Sequence, residues 1–347
     1  MLEADVEVDR REFTVRARLR VAPGERLALF GPSGAGKTTL LETIAGLVRP
    51  RRGRIVLRGR VLTDTGRPAT AVPPWQRKVG LLRQDPGLFP HLSVRKNLGY
   101  GPGAVAGELA ELAAVLGIAG LLDAMPARLS GGQAHRVALG RLLLAHCDAL
   151  LLDEPYTGLD ASLRRVLTEL VAGLVAARSV PAMLVAHELA DAQAFADRLA
   201  VLDAGQLLQA GPPDQVVRDP ASRRVAELTG YLGFVPARPG RDGSLEVAGQ
   251  DHGGLVAGIH PERVLPGAHP GRGLVITATV VAVRPAGAGW EADLRAGPGG
   301  AAALTARLAE RPGGPGDQLT VTALAPPLFG PDGAAAARPG AGKETVR

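Results

Sequence analysis

The chain has 347 residues, of which 46% are hydrophobic and 21% are charged. Its 40 Lys and Arg against 34 Asp and Glu give a net charge of +6, and the arginines are scattered, which disfavours nucleic-acid binding. One cysteine, Cys147, excludes an internal disulfide and fits a reducing compartment. No apolar run reaches the roughly 18 to 20 residues of a membrane span, and residues 1–5 do not start a signal peptide.

The length exceeds the roughly 250 residues at which single cores usually stop growing, so two domains are expected. Residues 1–235 alternate short apolar runs with helical patterns, which predicts an α/β domain with a mostly parallel sheet. Within it, residues from about 86 to 135 contain the amphipathic stretch Glu108 to Leu116 and predict a helical subdomain.

The pattern changes after residue 235. Residues 236–250 are rich in Pro, Gly and Arg and predict a linker. Residues 251–329 predict a small β-barrel, because Gly and Pro turns separate short β-type runs: Leu274 to Val283, Trp290 to Leu294, Leu304 to Leu308 and Gln318 to Leu324. Residues 330–347 are rich in Gly, Ala and Pro and predict a disordered tail.

A glycine-rich loop lies between the apolar run Leu27 to Phe30 and a helical pattern that begins near residue 40. It reads Gly31-Pro32-Ser33-Gly34-Ala35-Gly36-Lys37-Thr38-Thr39. Its glycines let backbone N–H groups turn around a polyphosphate, Lys37 would reach the β- and γ-phosphates, and the Thr38 hydroxyl can bind Mg²⁺. The strand, loop and helix order aims a helix N-terminus at the anion. The loop is therefore interpreted as a Walker A motif.

Two carboxylates follow another apolar run. Residues 149–152 are too few for a helix, and Asp153 and Glu154 come next, bounded by Pro155. The run predicts a buried parallel strand that delivers both carboxylates at its C-terminal end. Asp153 would then hold the Mg²⁺ shell, and Glu154 would act as a general base that polarises a water.

Gln84 and His187 each come just after a further apolar run. Gln84 alone would be a solvated loop residue, and a lone histidine is usually a satisfied surface or core group. Their places beside predicted strands make both candidates for the same site.

A second phosphate-handling segment reads Leu129-Ser130-Gly131-Gly132-Gln133 and opens the helical stretch from residue 134 to 146. It offers another helix N-terminus with donors for a γ-phosphate.

In chain order, these segments resemble the motif set of an ABC-type ATP-binding subunit: Gly31 to Thr39, Gln84, Leu129 to Gln133, Asp153-Glu154, Gly158-Leu159-Asp160 and His187. The resemblance covers about two thirds of the chain. It implies ATP hydrolysis with ATP and Mg²⁺, in which Gln84 joins Thr38 and Asp153 in the Mg²⁺ shell, His187 contacts the γ-phosphate, and Asp160 belongs to the nucleotide site.

The resemblance also implies a quaternary arrangement. The segment Leu129 to Gln133 corresponds to the signature segment of this family. A single copy cannot fold it onto its own nucleotide, so in the implied arrangement two copies lie head to tail and each signature segment closes on the other copy's ATP. With one Walker A loop and one signature per chain, the simplest assembly is a homodimer.

Val256 to Val264 resembles the opening of the oligomer-binding-fold (TOBE/Mop-like) appendage of importer ATP-binding subunits, which favours an importer over an exporter. Residues 61–64, 73–80 and 84–98 resemble the molybdate branch most, while sulfate, iron and polyamine importers share Leu88-Phe89-Pro90-His91 and remain alternatives. A separate integral-membrane permease is implied, with this chain at its cytoplasmic face and a solute-binding protein reached through it. A soluble ABC ATPase is the remaining alternative, although such proteins usually carry two ATP-binding domains or a coiled-coil insertion.

The chain departs from the family pattern at several positions. Ala134-His135 replace the usual polar and basic pair after the signature. No aromatic residue clearly takes the adenine-stacking position, and Phe13, the nearest candidate, is interpreted as a buried strand residue.

Overall fold

The computed structural model describes residues 1–101, 106–240, 244–248 and 254–337. The chain divides into two compact units, Met1–Pro213 and a second that begins at Asp214. This boundary precedes the predicted one at residue 235, because residues 214–235 pack with the strands that follow them. Ala226 and Tyr231 are buried with Phe329, and the Tyr231 hydroxyl donates to the Val217 carbonyl at 2.8 Å.

One sheet forms the centre of the N-terminal unit. Its strands are β1 (Leu2–Asp9), β2 (Thr14–Val21), β3 (Arg26–Phe30), β4 (Arg52–Leu57), β5 (Arg60–Asp64), β6 (Thr70–Ala71), β7 (Val79–Leu82), β8 (Ala149–Asp153), β9 (Ala182–Ala186), β10 (Arg198–Asp203) and β11 (Gln206–Gly211). The helices are α1 (Lys37–Ala45), α2 (Val94–Leu98), α3 (Ala106–Val115), α4 (Gly131–Leu144), α5 (Ala161–Arg178), α6 (Leu189–Phe195) and, at the boundary, α7 (Pro213–Arg218). Strand order is β6-β5-β4-β1-β2-β11-β10-β3-β9-β8-β7. No helix among the described residues has the length and apolar character needed to cross a membrane.

Strands β10, β3, β9, β8 and β7 are neighbours and run parallel. The side chains of β8 and β9 are buried along their whole length, as expected of strands covered on both faces. The carboxyl ends of parallel strands meet at one edge, so this edge receives the Walker A loop after β3, Gln84 after β7, Asp153 at the end of β8 and His187 after β9. The parallel strands predicted from the sequence are confirmed.

The rest of this sheet is mostly antiparallel. Strands β1 and β2 form a hairpin in full register from Leu2↔Val21 to Asp9↔Thr14. The alternate residues of β1 are buried in the same core as the apolar face of α1. The hairpin turn at residues 10–13 is thereby held near the start of α1.

Helices α2, α3 and α4 form the predicted helical subdomain, and α4, which ends at Leu144, contains most of the helical stretch predicted from residue 134 to 146. Close packing requires Gly140 on α4, because a Cβ there would meet Leu98 Cδ2 at 2.7 Å and Leu116 Cδ1 at 2.8 Å. The amphipathic stretch predicted from residue 108 lies in α3.

The second unit contains α8 (Arg223–Leu228) and two five-stranded antiparallel sheets with one apolar core. Its strands are β12 (Gly233–Pro239), β13 (Leu245–Val247), β14 (Val256–Ile259), β15 (Val264–Pro266), β16 (Gly273–Ala286), β17 (Gly289–Ala296), β18 (Ala302–Leu308), β19 (Gln318–Leu324), β20 (Leu328–Phe329) and β21 (Ala335–Ala336). The four predicted β-type runs are β16 to β19. The sheets are β13-β12-β14-β20-β21 and β15-β19-β16-β17-β18, so the expected closed barrel is not confirmed.

Two further predictions for this unit differ from the structure. Residues 236–239, expected to be linker, belong to β12, because Val235 and Ala237 are buried on one face while Pro236 lies on the other. Residues 335–336, expected to be disordered, pair with β20. Residues 338–347 lie outside the described residues.

Candidate nucleotide-binding site

A cavity of about 930 Å³ lies at the carboxyl edge of the parallel strands. It is lined by the Walker A loop, by the ends of β7, β8 and β9, and by the β1–β2 turn. The lining residues are Asp9, Arg10, Arg11, Glu12, Phe13, Ser33, Gly34, Gly36, Lys37, Thr38, Thr39, Gln84, Glu154 and His187. The structure therefore brings together residues that the sequence predicted from four separate segments.

The Walker A loop is held by its own lysine. Lys37 is 5% exposed, and its Nζ donates to the carbonyls of Gly31 and Pro32 at 2.7 and 2.8 Å. Burial lowers the pKa of Lys37, opposed by the nearby carboxylates of Glu154 and Asp153. Gly36 caps α1 at φ 101° and brings no side chain to the helix N-terminus. The positive charge of Lys37 and this helix N-terminus together suit a polyphosphate.

Asp153 provides a test of whether the site fits Mg²⁺. It is 3% exposed at the end of β8, and its Oδ1 is buried without a hydrogen-bond partner. Burial raises its pKa, while a hydrogen bond from the Thr38 hydroxyl lowers it. A buried carboxylate oxygen that lacks a partner, beside a hydroxyl, matches the oxygen ligands that Mg²⁺ prefers. Asp153, Thr38 and Gln84 would hold the ion.

Glu154 and His187 form a contact pair at the cavity wall. His187 Nε2 lies in a very short contact with Glu154 Oε1, and the Glu154 side chain is 16% exposed. Glu154 adopts φ 52°, a left-handed conformation that costs roughly 1–3 kcal/mol for a residue other than glycine. Such strain persists only where surrounding contacts impose it, and here it accompanies a carboxylate that can accept a proton from water.

The sequence did not predict the contribution of the β1–β2 turn. Arg10 Nε donates to Thr39 Oγ1 at 2.8 Å, across 29 residues of sequence. Phe13 is half-buried, lies before β2 and lines the cavity, so its interpretation as a buried strand residue is wrong. The available signal was the run of charged residues from Asp9 to Glu12 between two alternating strands.

The signature segment is preorganised as a helix start. Ser130 is the N-cap of α4: its Oγ accepts the Gln133 N–H at 3.3 Å, and Gln133 Oε1 accepts the Ser130 N–H at 2.9 Å. Asp160 caps α5 by accepting the Leu163 N–H at 2.9 Å. Neither Asp160 nor any of Ser130, Gly131, Gly132 and Gln133 lines the 930 Å³ cavity of the described chain.

The parallel sheet, the Walker A loop after β3 and the carboxylates at the end of β8 define a P-loop nucleotide-binding protein. The ABC transporter family model matches residues 15–157. Fe(3+) ions import ATP-binding protein FbpC of Mesorhizobium japonicum is 42% identical over 224 residues, which are 63% of this chain and 61% of that protein. Molybdenum import ATP-binding protein ModC of Mycobacterium tuberculosis is 42% identical over 261 residues, 71% of this chain and 69% of that protein.

The fold is also found in a solved structure of an ATP binding subunit of an ABC transporter. It is 26% identical, covers 66% of this chain and 95% of its own, and has a TM-score of 0.55. The chain therefore belongs to the ATP-binding subunits of ABC transporters, of the importer type, a class that binds and hydrolyses ATP. It spans 61 to 69% of the length of the two relatives named above.

Proposed function

We propose that this chain is the ATP-hydrolysing subunit of an importer that takes up molybdate through a separate integral-membrane permease, at the cytoplasmic face of the membrane. The observation that carries the proposal is the contact of Glu154 with His187 in the cavity that Lys37 also lines. A base, its partner and a phosphate-binding loop then act on one nucleotide.

In this mechanism Lys37 and the loop N–H groups hold the β- and γ-phosphates. Glu154 orients the attacking water and accepts its proton, and His187 holds the carboxylate and contacts the γ-phosphate. Asp153, Thr38 and Gln84 would hold Mg²⁺, which would neutralise phosphate charge. Because phosphoryl transfer needs little covalent help from the protein, positioning and charge stabilisation provide most of the acceleration.

The position of the signature supports a homodimer. Ser130 to Gln133 form a capped helix N-terminus outside the cavity of the chain that carries them. A second copy that meets the first head to tail would place this N-terminus on the γ-phosphate. ATP then closes two composite sites, and hydrolysis lets the copies separate.

Molybdate is supported by the resemblance of residues 61–64, 73–80 and 84–98 to the molybdate branch and by the similarity to ModC. Iron is the second candidate, because FbpC is equally identical at 42%. Sulfate and polyamine importers share residues 88–91 and remain further alternatives. A solute-binding protein would reach this subunit only through the permease.

Radiolabelled uptake tests the solute. Cells that lack the gene for this chain are complemented with the wild type or with Glu154→Gln, and uptake of molybdate, ferric iron and sulfate is measured. We expect molybdate uptake to return with the wild type alone. Recovery of iron or sulfate uptake without molybdate would refute the solute assignment, and normal uptake of all three in the deletion strain would favour a soluble ABC role.

A further inference from the structure

His135 is a buried histidine on the signature helix, five residues after its N-cap Ser130. Its residue exposure is 6%, and its Nε2 is buried without a hydrogen-bond partner. An unsatisfied buried nitrogen lowers stability, so packing alone does not account for an imidazole at this position. The other contacts of the ring indicate what it does.

The ring faces the loop that follows the catalytic strand. Burial, the largest effect, lowers the pKa of His135, while the nearby Pro155 backbone and the Glu154 carboxylate raise it. The ring is therefore neutral at neutral pH and can remain buried.

The contacted loop sets the direction of the catalytic carboxylate. Glu154, immediately before Pro155, has the left-handed φ of 52°. Gly132 of the same helix lies close to this loop as well, because a Cβ there would come within 3.8 Å of the Gly158 carbonyl. The start of α4 thus packs along residues 155–158.

The next residue anchors the helix on another side. Arg136 Nη1 donates to the Leu116 carbonyl at 2.9 Å, just after α3. Adjacent residues of α4 therefore contact the helical subdomain and the catalytic loop. A displacement of the signature helix would therefore change the orientation of the Glu154 carboxylate through His135.

We propose that His135 is a positioning residue that couples the position of the signature helix to the orientation of the Glu154 carboxylate. The proposal rests on the proposed function, because it requires Glu154 to act as the base. In the head-to-tail dimer, the helix that completes one composite site would through His135 set the base of the other.

His135→Leu and His135→Gln test the coupling. Leucine removes both ring nitrogens, including the unsatisfied one, so we expect an unchanged or higher Tm, unchanged affinity for ATP and a kcat at least 10-fold lower. Glutamine restores a neutral donor, and we expect it to recover most of the kcat. His146→Leu, at an exposed histidine two residues beyond the end of α4, is the matched control and should keep wild-type kcat.

A double-mutant comparison distinguishes action through Glu154 from a general effect. In single-turnover hydrolysis, Glu154→Gln with His135→Leu should be no slower than Glu154→Gln alone, because the base through which His135 acts is already absent. A folded His135→Leu protein with wild-type kcat, or losses that multiply in the double variant, would refute the coupling. An inactive wild type would instead refute the proposed function.

Discussion

The imidazole of His187 and the carboxylate of Glu154 meet directly, although they lie at the ends of different strands, β9 and β8. Neighbouring parallel strands bring them together at the edge where the Walker A loop also lies. The pair predicts that a substitution of Glu154 separates nucleotide binding from hydrolysis.

We expect Glu154→Gln to retain ATP binding and to lose hydrolysis by ~10²-fold or more, since an amide can still contact His187 but cannot accept a proton. Without turnover, the variant should accumulate as an ATP-bound dimer. Size-exclusion chromatography with and without ATP measures this, and normal turnover would contradict the role of Glu154 as base.

Ser130→Arg and Lys37→Ala test the composite site. The Ser130→Arg variant keeps an intact Walker A loop but has a blocked signature segment. The Lys37→Ala variant keeps an intact signature segment but has a defective Walker A loop, so each homodimer should be inactive. A mixed dimer can retain at most one intact composite site, and we expect partial ATPase activity from it.

Arginine at 130 also removes the N-cap, a loss of ~1 kcal/mol, so Ser130→Ala serves as the stability control. Wild-type ATPase in either homodimer would exclude the arrangement in trans.

Arg10 is expected to contribute to nucleotide affinity, because its guanidinium is held at the Walker A loop by a hydrogen bond to the Thr39 hydroxyl. A charge-assisted hydrogen bond from Arg10 to a phosphate would be worth about 1.5–3 kcal/mol, so Arg10→Ala, which removes this cation from the cavity wall, should weaken ADP binding by roughly tenfold or more in calorimetry. Arg11→Ala is the control, since Arg11 lines the same cavity and has no hydrogen bond to the loop in the described structure. Equal affinities for both variants and the wild type would contradict the role of Arg10.

An aromatic pair next to Gln84 is the candidate contact for the permease. Phe89 is half-buried, and the centroid of its ring lies 4.1 Å from that of Tyr100, which is 60% exposed. The Asn97 side chain accepts a hydrogen bond from the Phe89 N–H and donates one to the Phe89 carbonyl. Because the backbone is held independently of the ring, we expect Phe89→Ala and Tyr100→Ala to keep Tm and basal ATPase near wild type while uptake and permease co-purification are lost.

Asn97→Ala is the contrasting variant, since it releases the loop and should lower Tm. If Phe89→Ala instead unfolds the isolated subunit, Phe89 is a core residue and the coupling surface lies elsewhere.

Asp197 is expected to stabilise the N-terminal unit in a pH-dependent way. A hydrogen bond from Arg26 lowers the pKa of Asp197, and the Arg26–Asp197 distance is 2.6 Å. Because the folded-state pKa lies below the unfolded one, this stabilisation is present above the ordinary aspartate range and is lost as pH falls through the folded-state pKa. Asp197→Asn should lower Tm at pH 7, and the difference from wild type should shrink in acid.

The exposed pair of Asp123 with Arg95, at 3.4 Å, supplies the control. Asp123→Asn should leave Tm nearly unchanged at every pH. A pH-independent effect of Asp197→Asn would contradict the linkage.

The sequence predicted what local patterns encode. The apolar runs at residues 149–152 and 183–186 predict strands, because each ends at functional polar residues, and they lie in β8 and β9. The Arg10–Thr39 contact was missed, since no local pattern reports a pairing 29 residues apart. Composition misled at residues 236–239, where Pro236 and Pro239 hid the alternation of Val235 and Ala237.

Ser222, just before α8, forms a β-bridge with Ala334, and the Ala335 N–H donates to the Ala221 carbonyl at 3.2 Å. The two ends of the 113-residue segment from residue 222 to residue 334 therefore lie side by side. A segment whose two ends touch can be removed, exchanged for another fold or circularly permuted with a short bridging peptide. A different domain could therefore replace this segment while the fold of the N-terminal unit, before residue 214, stays unchanged.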